Sequence, residues 1–188
     1  MDEIGTQLLR DTRAPLPVRP GYVAREDDEY ARGDVADLFL SCEPLGGQRW
    51  ADVTARRTRV DWARQIKELV DVRSPTAEKI VLVLDNRNTH SPASRYAAFP
   101  PAEAKRLADR LAIHHTPKHG SWRTMAEIAL SALRRRCLDR RLPDFATPQA
   151  EVTAWQDRRN ADGRPLQWRF TTDDARIKLW RLYPTNHE

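Results

Sequence analysis

The 188-residue chain contains only two cysteines, Cys42 and Cys137, far apart and in no C-x-x-C spacing. Neither a disulfide framework nor a structural zinc site is expected, and a reducing, cytoplasmic home fits best. Long apolar runs are missing too: with 31% charged residues and a mean hydropathy of −0.72, nothing approaches the ~18–20 residues of a membrane span. The start, Met1-Asp2-Glu3, lacks the basic-then-apolar pattern of a secretory signal. Glycine is scarce, with seven in the chain, and no glycine-rich phosphate cradle follows any strand-like run. Ser121 sits in no G-x-S-x-G elbow, so a covalent hydrolase ranks low. Internal repeats and low-complexity linkers are absent as well.

What is present suffices for one globular domain spanning 1–188. Hydrophobic residues make up 40% of the chain and include six tryptophans, which argues against disorder. The charge is unevenly spread. Residues 1–100 carry 15 Lys and Arg against 16 Asp and Glu, a net −1, whereas residues 101–188 carry 17 against 11, a net +6. A basic half in a chain of pI ≈ 9.5 suggests a polyanionic partner, because neutralising phosphates releases counterions. The same charge also suits a solvated face.

Several elements are legible in order. After a Pro-rich, turn-forming stretch (Pro15, Pro17, Pro20), residues 35–42 read as a strand with a buried centre. The turn 44–47 and the alternating run 49–54 complete a hairpin with one wet face. A helix capped by Asp61 carries Trp62, Ile66, Leu69 and Val70 inward until Pro75. Residues 79–84 (KIVLVL) form the densest β signal, an unbroken run typical of a strand buried on both faces. A helix near Pro101 with Ala104, Leu107 and Leu111, a short strand over 112–115, and a long helix from about Trp122 to Arg140 follow. Helices around 147–158 and from Thr172 close the chain. Any strand before the hairpin must lie between Met1 and about Leu9. This order describes an α/β sandwich with a mixed sheet.

Asp85 stands at the C-terminal end of the best strand, where open α/β sheets place ligands, although a turn or cap carboxylate fits that position too. Glu127 lies beside the apolar stripe of the long helix, where a plain surface charge is the competing reading. Two or three acids converging at one sheet edge can hold a pair of Mg²⁺ ions and support phosphodiester cleavage. His90 reads as a loop hydrogen-bond partner rather than a catalyst. His114, His115 and His119 make a poor zinc set, since Pro117 and Gly120 oppose a helix there. Arg134, Arg135 and Arg136, with Arg140 and Arg141, could track a phosphate backbone or simply face water.

The residues then converge on a family. The run 81–90 (VLVLDNRNTH), Tyr96 to Pro101 (YAAFPP), 116–122 (TPKHGSW) and Met125-Ala126-Glu127 closely resemble bacterial insertion-sequence transposases of the mariner-like superfamily, the six-thirty group. The resemblance runs from about residue 2 to 184 and includes 56–58 (RRT), 137–141 (CLDRR) and 170–179 (FTTDDARIKL). It implies a ribonuclease-H-like α/β fold, a mixed sheet flanked by helices. It also implies a DDE triad that binds two Mg²⁺ (or Mn²⁺) ions, hydrolyses the transposon end and joins the freed 3′-OH to target DNA. Carried over residue by residue, the second acid is Asp85 and the third Glu127. The family's Asp-Glu after an apolar run matches Asp2-Glu3, making Asp2 the first acid. DNA contacts are expected at Lys118, His119, Arg123, Arg134 and Arg135, with DNA and a homo-oligomer or full-length transposase as partners and a bacterial, nucleoid-associated location.

Two departures from the pattern matter. The family's N-terminal helix-turn-helix region and the apolar half of its first strand have no counterpart, so the resemblance implies an N-terminally truncated chain with that strand largely missing and with weak or no autonomous activity. The Ser-Trp-Leu-Asn before the third acid reads Ser121-Trp122-Arg123-Thr124, and Arg87 and Ala129 replace a frequent Leu and Glu. The alternative function is a catalytically impaired remnant that binds DNA or a full-length transposase. A weaker third reading is a structure-specific nuclease using the same metals.

Overall fold

The computed structural model of the chain describes residues 1–116, 124–165, 169, 171–178 and 180. Three antiparallel strands, β1 (Asp2–Asp11), β2 (Tyr30–Glu43) and β3 (Gln48–Thr54), form one sheet in the order β1-β2-β3. The turn between β2 and β3 contains Gly47 at φ +70°, a left-handed conformation that glycine adopts without a Cβ penalty. β1 is a ten-residue strand paired with β2 along its whole length, with one irregularity between Gln7 and Leu9. The expectation that the first strand is largely missing is therefore corrected: alternation from Asp2 to Leu8 buries enough of one face to hold the strand in place.

A capping box opens α1 (Arg59–Glu68). Thr58 accepts from the Asp61 backbone N–H while the Asp61 carboxylate accepts from the Thr58 N–H, so the cap is Thr58 rather than Asp61. A π turn, Leu69–Arg73, extends the helix. β4 (Ile80–Leu84) and β5 (Leu111–His115) pair in parallel, joined by a 3₁₀ turn at Asn88–His90, α2 (Pro92–Ala98) and α3 (Pro101–Asp109). Leu111 begins β5 rather than ending the preceding helix. The long basic helix is α4 (Met125–Leu133) continued by a π turn, Arg134–Leu138; α5 (Ala146–Ala161) and α6 (Thr172–Lys178) follow.

Two apolar clusters lie on opposite faces of the β1-β2-β3 sheet. Leu38, Leu40, Ala51 and Val53 meet Ala126, Leu130, Leu133, Val152 and Trp155 from α4 and α5. Phe39, on the other face of β2, joins Trp62, Ile66, Leu82, Leu84 and Leu107. Helices thus cover both faces, as expected of an α/β sandwich. β4 differs from its expectation: Leu82 and Leu84 are buried, but Val81 and Val83 are 68% and 48% exposed, so one face only is covered. The Met1 amino group donates to the Val83 carbonyl (3.0 Å), which sets the start of β1 beside β4. Among the described residues, no helix is long and apolar enough to cross a membrane.

Candidate active site

Successive side chains of a strand point to opposite faces, and this separates two adjacent acids at the start of β1. Asp2 pairs with Leu40, whose side chain faces α4 and α5; Glu3 pairs with Phe39, whose side chain faces α1. Asp85 follows β4 directly. Glu127 stands in the first turn of α4, whose N-cap Thr124 accepts from the Glu127 N–H (3.1 Å). β4 belongs to a separate two-stranded sheet, yet Asp2 and Asp85 lie near enough to Glu127 for their charges to act on it.

On the α1 side, Glu3 is 2% exposed and His90 1% exposed. His90 Nε2 lies 2.8 Å from Glu3 Oε2, and Nδ1 lies 2.7 Å from Asp85 Oδ1. Both ring nitrogens thus face carboxylate oxygens, an arrangement that only the doubly protonated imidazolium satisfies fully. Trp62, fully buried, stacks at a tilt on the ring with centroids 5.4 Å apart. Arg87 reaches both acids as well, with Nε 3.1 Å from Asp85 Oδ2 and an Nη1 3.4 Å from Glu3 Oε1. A buried carboxylate is costly unless paired, and here it holds two cationic partners.

Burial pushes the His90 pKa down, but the Glu3 hydrogen bond and the charges of Glu3 and Asp85 overcome it and hold the group above its ordinary 6.5. Because the folded value is the raised one, the stabilisation is complete below 6.5 and is lost as pH rises through the folded pKa. In metal-free buffer the melting temperature is expected to fall as pH rises above 6.5 and through the raised folded pKa of His90, and His90→Gln to flatten that dependence. Equal pH profiles for the two proteins, read by circular dichroism, would contradict the assignment.

On the α4 side, burial raises the Asp2 carboxyl above its usual range, partly offset by the Glu3 N–H that it accepts (2.8 Å), with the charges of Asp85 and Glu3 adding to the rise. Burial also raises Glu127, and the charges of Asp2 and Asp85 push it further. Its Oε2 is buried without a hydrogen-bond partner among the described residues. A buried orphan oxygen amid like charges is the situation that a bound cation relieves, and three carboxylates supply the hard oxygen donors that Mg²⁺ or Mn²⁺ takes. The donor chemistry fits. As they stand, however, no three His, Cys, Asp or Glu side chains among the described residues are gathered closely enough to hold an ion. Asp85 offers a physical reason, since both of its oxygens are engaged, one by His90 and one by Arg87.

Beside Asp85 lies an open polar cleft of ≈ 500 Å³ lined by Glu3, Arg57, Asn86, Arg87, Asn88 and Thr89. Its amide groups suit phosphate oxygens, as do its two guanidiniums once drawn from the acids they pair with, Asp37 for Arg57 and Asp85 and Glu3 for Arg87. Neither Arg57 nor Arg87 was singled out by sequence for binding, and His90 was read as a loop partner. The period-2 alternation of β1 signals that the adjacent acids lie on opposite faces, but which of them meets His90 follows only from the pairing of β1 with β2. Of the expected DNA contacts, Arg134 and Arg135 are exposed on the π turn after α4, while Lys118, His119 and Arg123 lie outside the described residues. His114 and His115 are exposed at the end of β5, and the second has its Nδ1 3.2 Å from the Asp85 carbonyl oxygen.

No curated protein and no solved structure matches the chain. The family model described as "DDE superfamily endonuclease" matches residues 1–147, which include β1 through α4 and all the acids of the candidate site. The chain belongs to the DDE superfamily endonuclease family.

Proposed function

We propose that the chain is the catalytic domain of an insertion-sequence transposase of the six-thirty group, acting by divalent-metal-dependent cleavage of DNA and transfer of the freed 3′ strand. The observation that supports it most is the Glu127 Oε2, buried and without a hydrogen-bond partner among the described residues, in the field of Asp2 and Asp85. In this reading Asp2, Asp85 and Glu127 hold two Mg²⁺ or Mn²⁺ ions, which supply the positive charge that activates water and stabilises the leaving oxygen. The chain's own residues do the rest. His90 and Glu3 lock Asp85 from the α1 side, so its carboxylate presents a fixed edge towards Asp2 and Glu127. Arg57 and Arg87 hold phosphate oxygens of the bound strand in the cleft beside it.

The test is incubation of the purified chain with supercoiled plasmid and Mn²⁺ or Mg²⁺. Nicked and linear products that disappear with chelator are expected, and a labelled 3′-end should join to plasmid. Nicking without joined product would favour a plain nuclease. No product at any metal concentration, with DNA binding retained, would favour the catalytically impaired remnant that binds DNA or a full-length transposase.

Arg87 makes a separate prediction. Its guanidinium sits against Asp85 as a tethered counter-charge. Arg87→Leu is therefore expected to raise affinity for Mn²⁺ by roughly twofold to tenfold, read from the free-ion electron paramagnetic resonance signal. Unchanged or weaker binding would show that Arg87 does not compete.

A further inference from the structure

A second cluster of charge lies away from the acids, between the π turn Arg134–Leu138 and α5. A cleft of ≈ 190 Å³ there is lined by Arg136, Arg158, Arg159, Glu151, Cys137 and Trp155. Its lone carboxylate, Glu151, is taken by Arg140 in an ion pair. Arg136 and Arg158 are exposed and form no ion pair among the described residues, and Arg159 lies over the Trp155 ring at 5.9 Å. Several other arginines, Arg57, Arg73, Arg106 and Arg141 among them, are paired with acids. Three guanidiniums sharing one cleft repel each other unless an anion lies among them.

The cleft is also held still. Asn160 accepts from the Arg49 N–H (2.9 Å) and donates to the Arg49 carbonyl (2.7 Å), while Gln156 Oε1 accepts from the Ala51 N–H (2.7 Å). These side-chain amides pair with the edge of β3 as a further strand would, and they clamp α5 on either side of Arg158 and Arg159. On the other wall, Leu138 and Leu133 anchor the π turn in the core. Arginine forks carried on anchored backbone are suited to phosphate oxygens, and π turns in helices recur at functional sites.

We propose that this cleft is a phosphodiester-binding site that seats the backbone of duplex DNA away from the cleavage centre. The proposal rests on the nuclease reading above, and most of α5 lies beyond the residues that the family model matches. Backbone contacts of this kind fix register without reading sequence.

The test is fluorescence anisotropy of a labelled duplex in chelator, comparing the full chain with R136Q/R158Q/R159Q and with a charge-matched control, R19Q/R25Q/R32Q, in the β1–β2 arm. The cleft variant is expected to bind about 10- to 100-fold more weakly at ~0.1 M salt, with a log–log salt slope shallower by about 2–3. The control should change little, and thermal melts should show all three proteins folded alike. Equal weakening by both variants, or none by the cleft variant, overturns the proposal. Saturable displacement of the duplex by millimolar inorganic phosphate at constant ionic strength also overturns it, in favour of a small-anion site. A wild-type chain that fails to bind duplex at all contradicts the DNA reading itself, an outcome distinct from failure of the cleft alone.

Discussion

Asp85→Asn and Glu127→Gln are each expected to lower metal-dependent nicking by about 10³-fold or more, roughly 4 kcal/mol of transition-state stabilisation. Either change removes a negative oxygen donor while preserving shape, so DNA affinity measured in chelator should hold. Glu127→Gln carries a second, opposite signature. The wild-type carboxylate is raised by burial and by Asp2 and Asp85, so its ionisation works against the fold. Neutralising it should raise the metal-free melting temperature and reduce the further rise on adding Mn²⁺. A variant that lost activity with a lower melting temperature would point to a structural role for Glu127.

His90→Ala is expected to cost about 3 kcal/mol of stability, the low end for breaking a buried ion pair, because Arg87 remains beside the stranded Glu3. Urea unfolding at about pH 6 should show this as a lower midpoint at constant slope. The paired change Glu3→Gln with His90→Gln removes both charges and should cost less than the sum of the single variants. Additive costs would mean that the 2.8 Å contact is not energetically coupled. Activity should fall in His90→Ala beyond what its folded fraction explains, since Asp85 loses the group that fixes one of its oxygens. His90 is on this account a positioning residue.

The order of elements was legible because each carries a local signal. The 79–84 run, the turn at 44–47 and the apolar stripe of α4 depend on side chains close in sequence. What sequence did not disclose depends on contacts between distant residues. Glu3 and His90 are 87 positions apart, and only the register of β1 against β2, which turns Glu3 towards α1, reveals that they meet. The one-sided burial of β4 is of the same kind. A continuous apolar run looks like a two-faced strand, but α4 packs on β1 and β2 and leaves Val81 and Val83 exposed.

The site divides along the same line. The places of Asp85 after a strand and of Glu127 on a helix are local features of the sequence. Asp2 came only through resemblance, since two adjacent acids at the head of a strand do not disclose which one faces α4 until the sheet is paired. Arg87 was visible as a departure from the family's frequent Leu. Its contact with both Asp85 and Glu3 arises only when β1 and β4 come together in the fold.

The most direct test of the account is anomalous diffraction from crystals of the chain grown or soaked with Mn²⁺. The account predicts manganese peaks bounded by Asp2, Asp85 and Glu127, with Arg87 drawn away from Asp85. Crystals saturated with Mn²⁺ that bind it elsewhere, leaving those three carboxylates as they are and Arg87 still on Asp85, would contradict it.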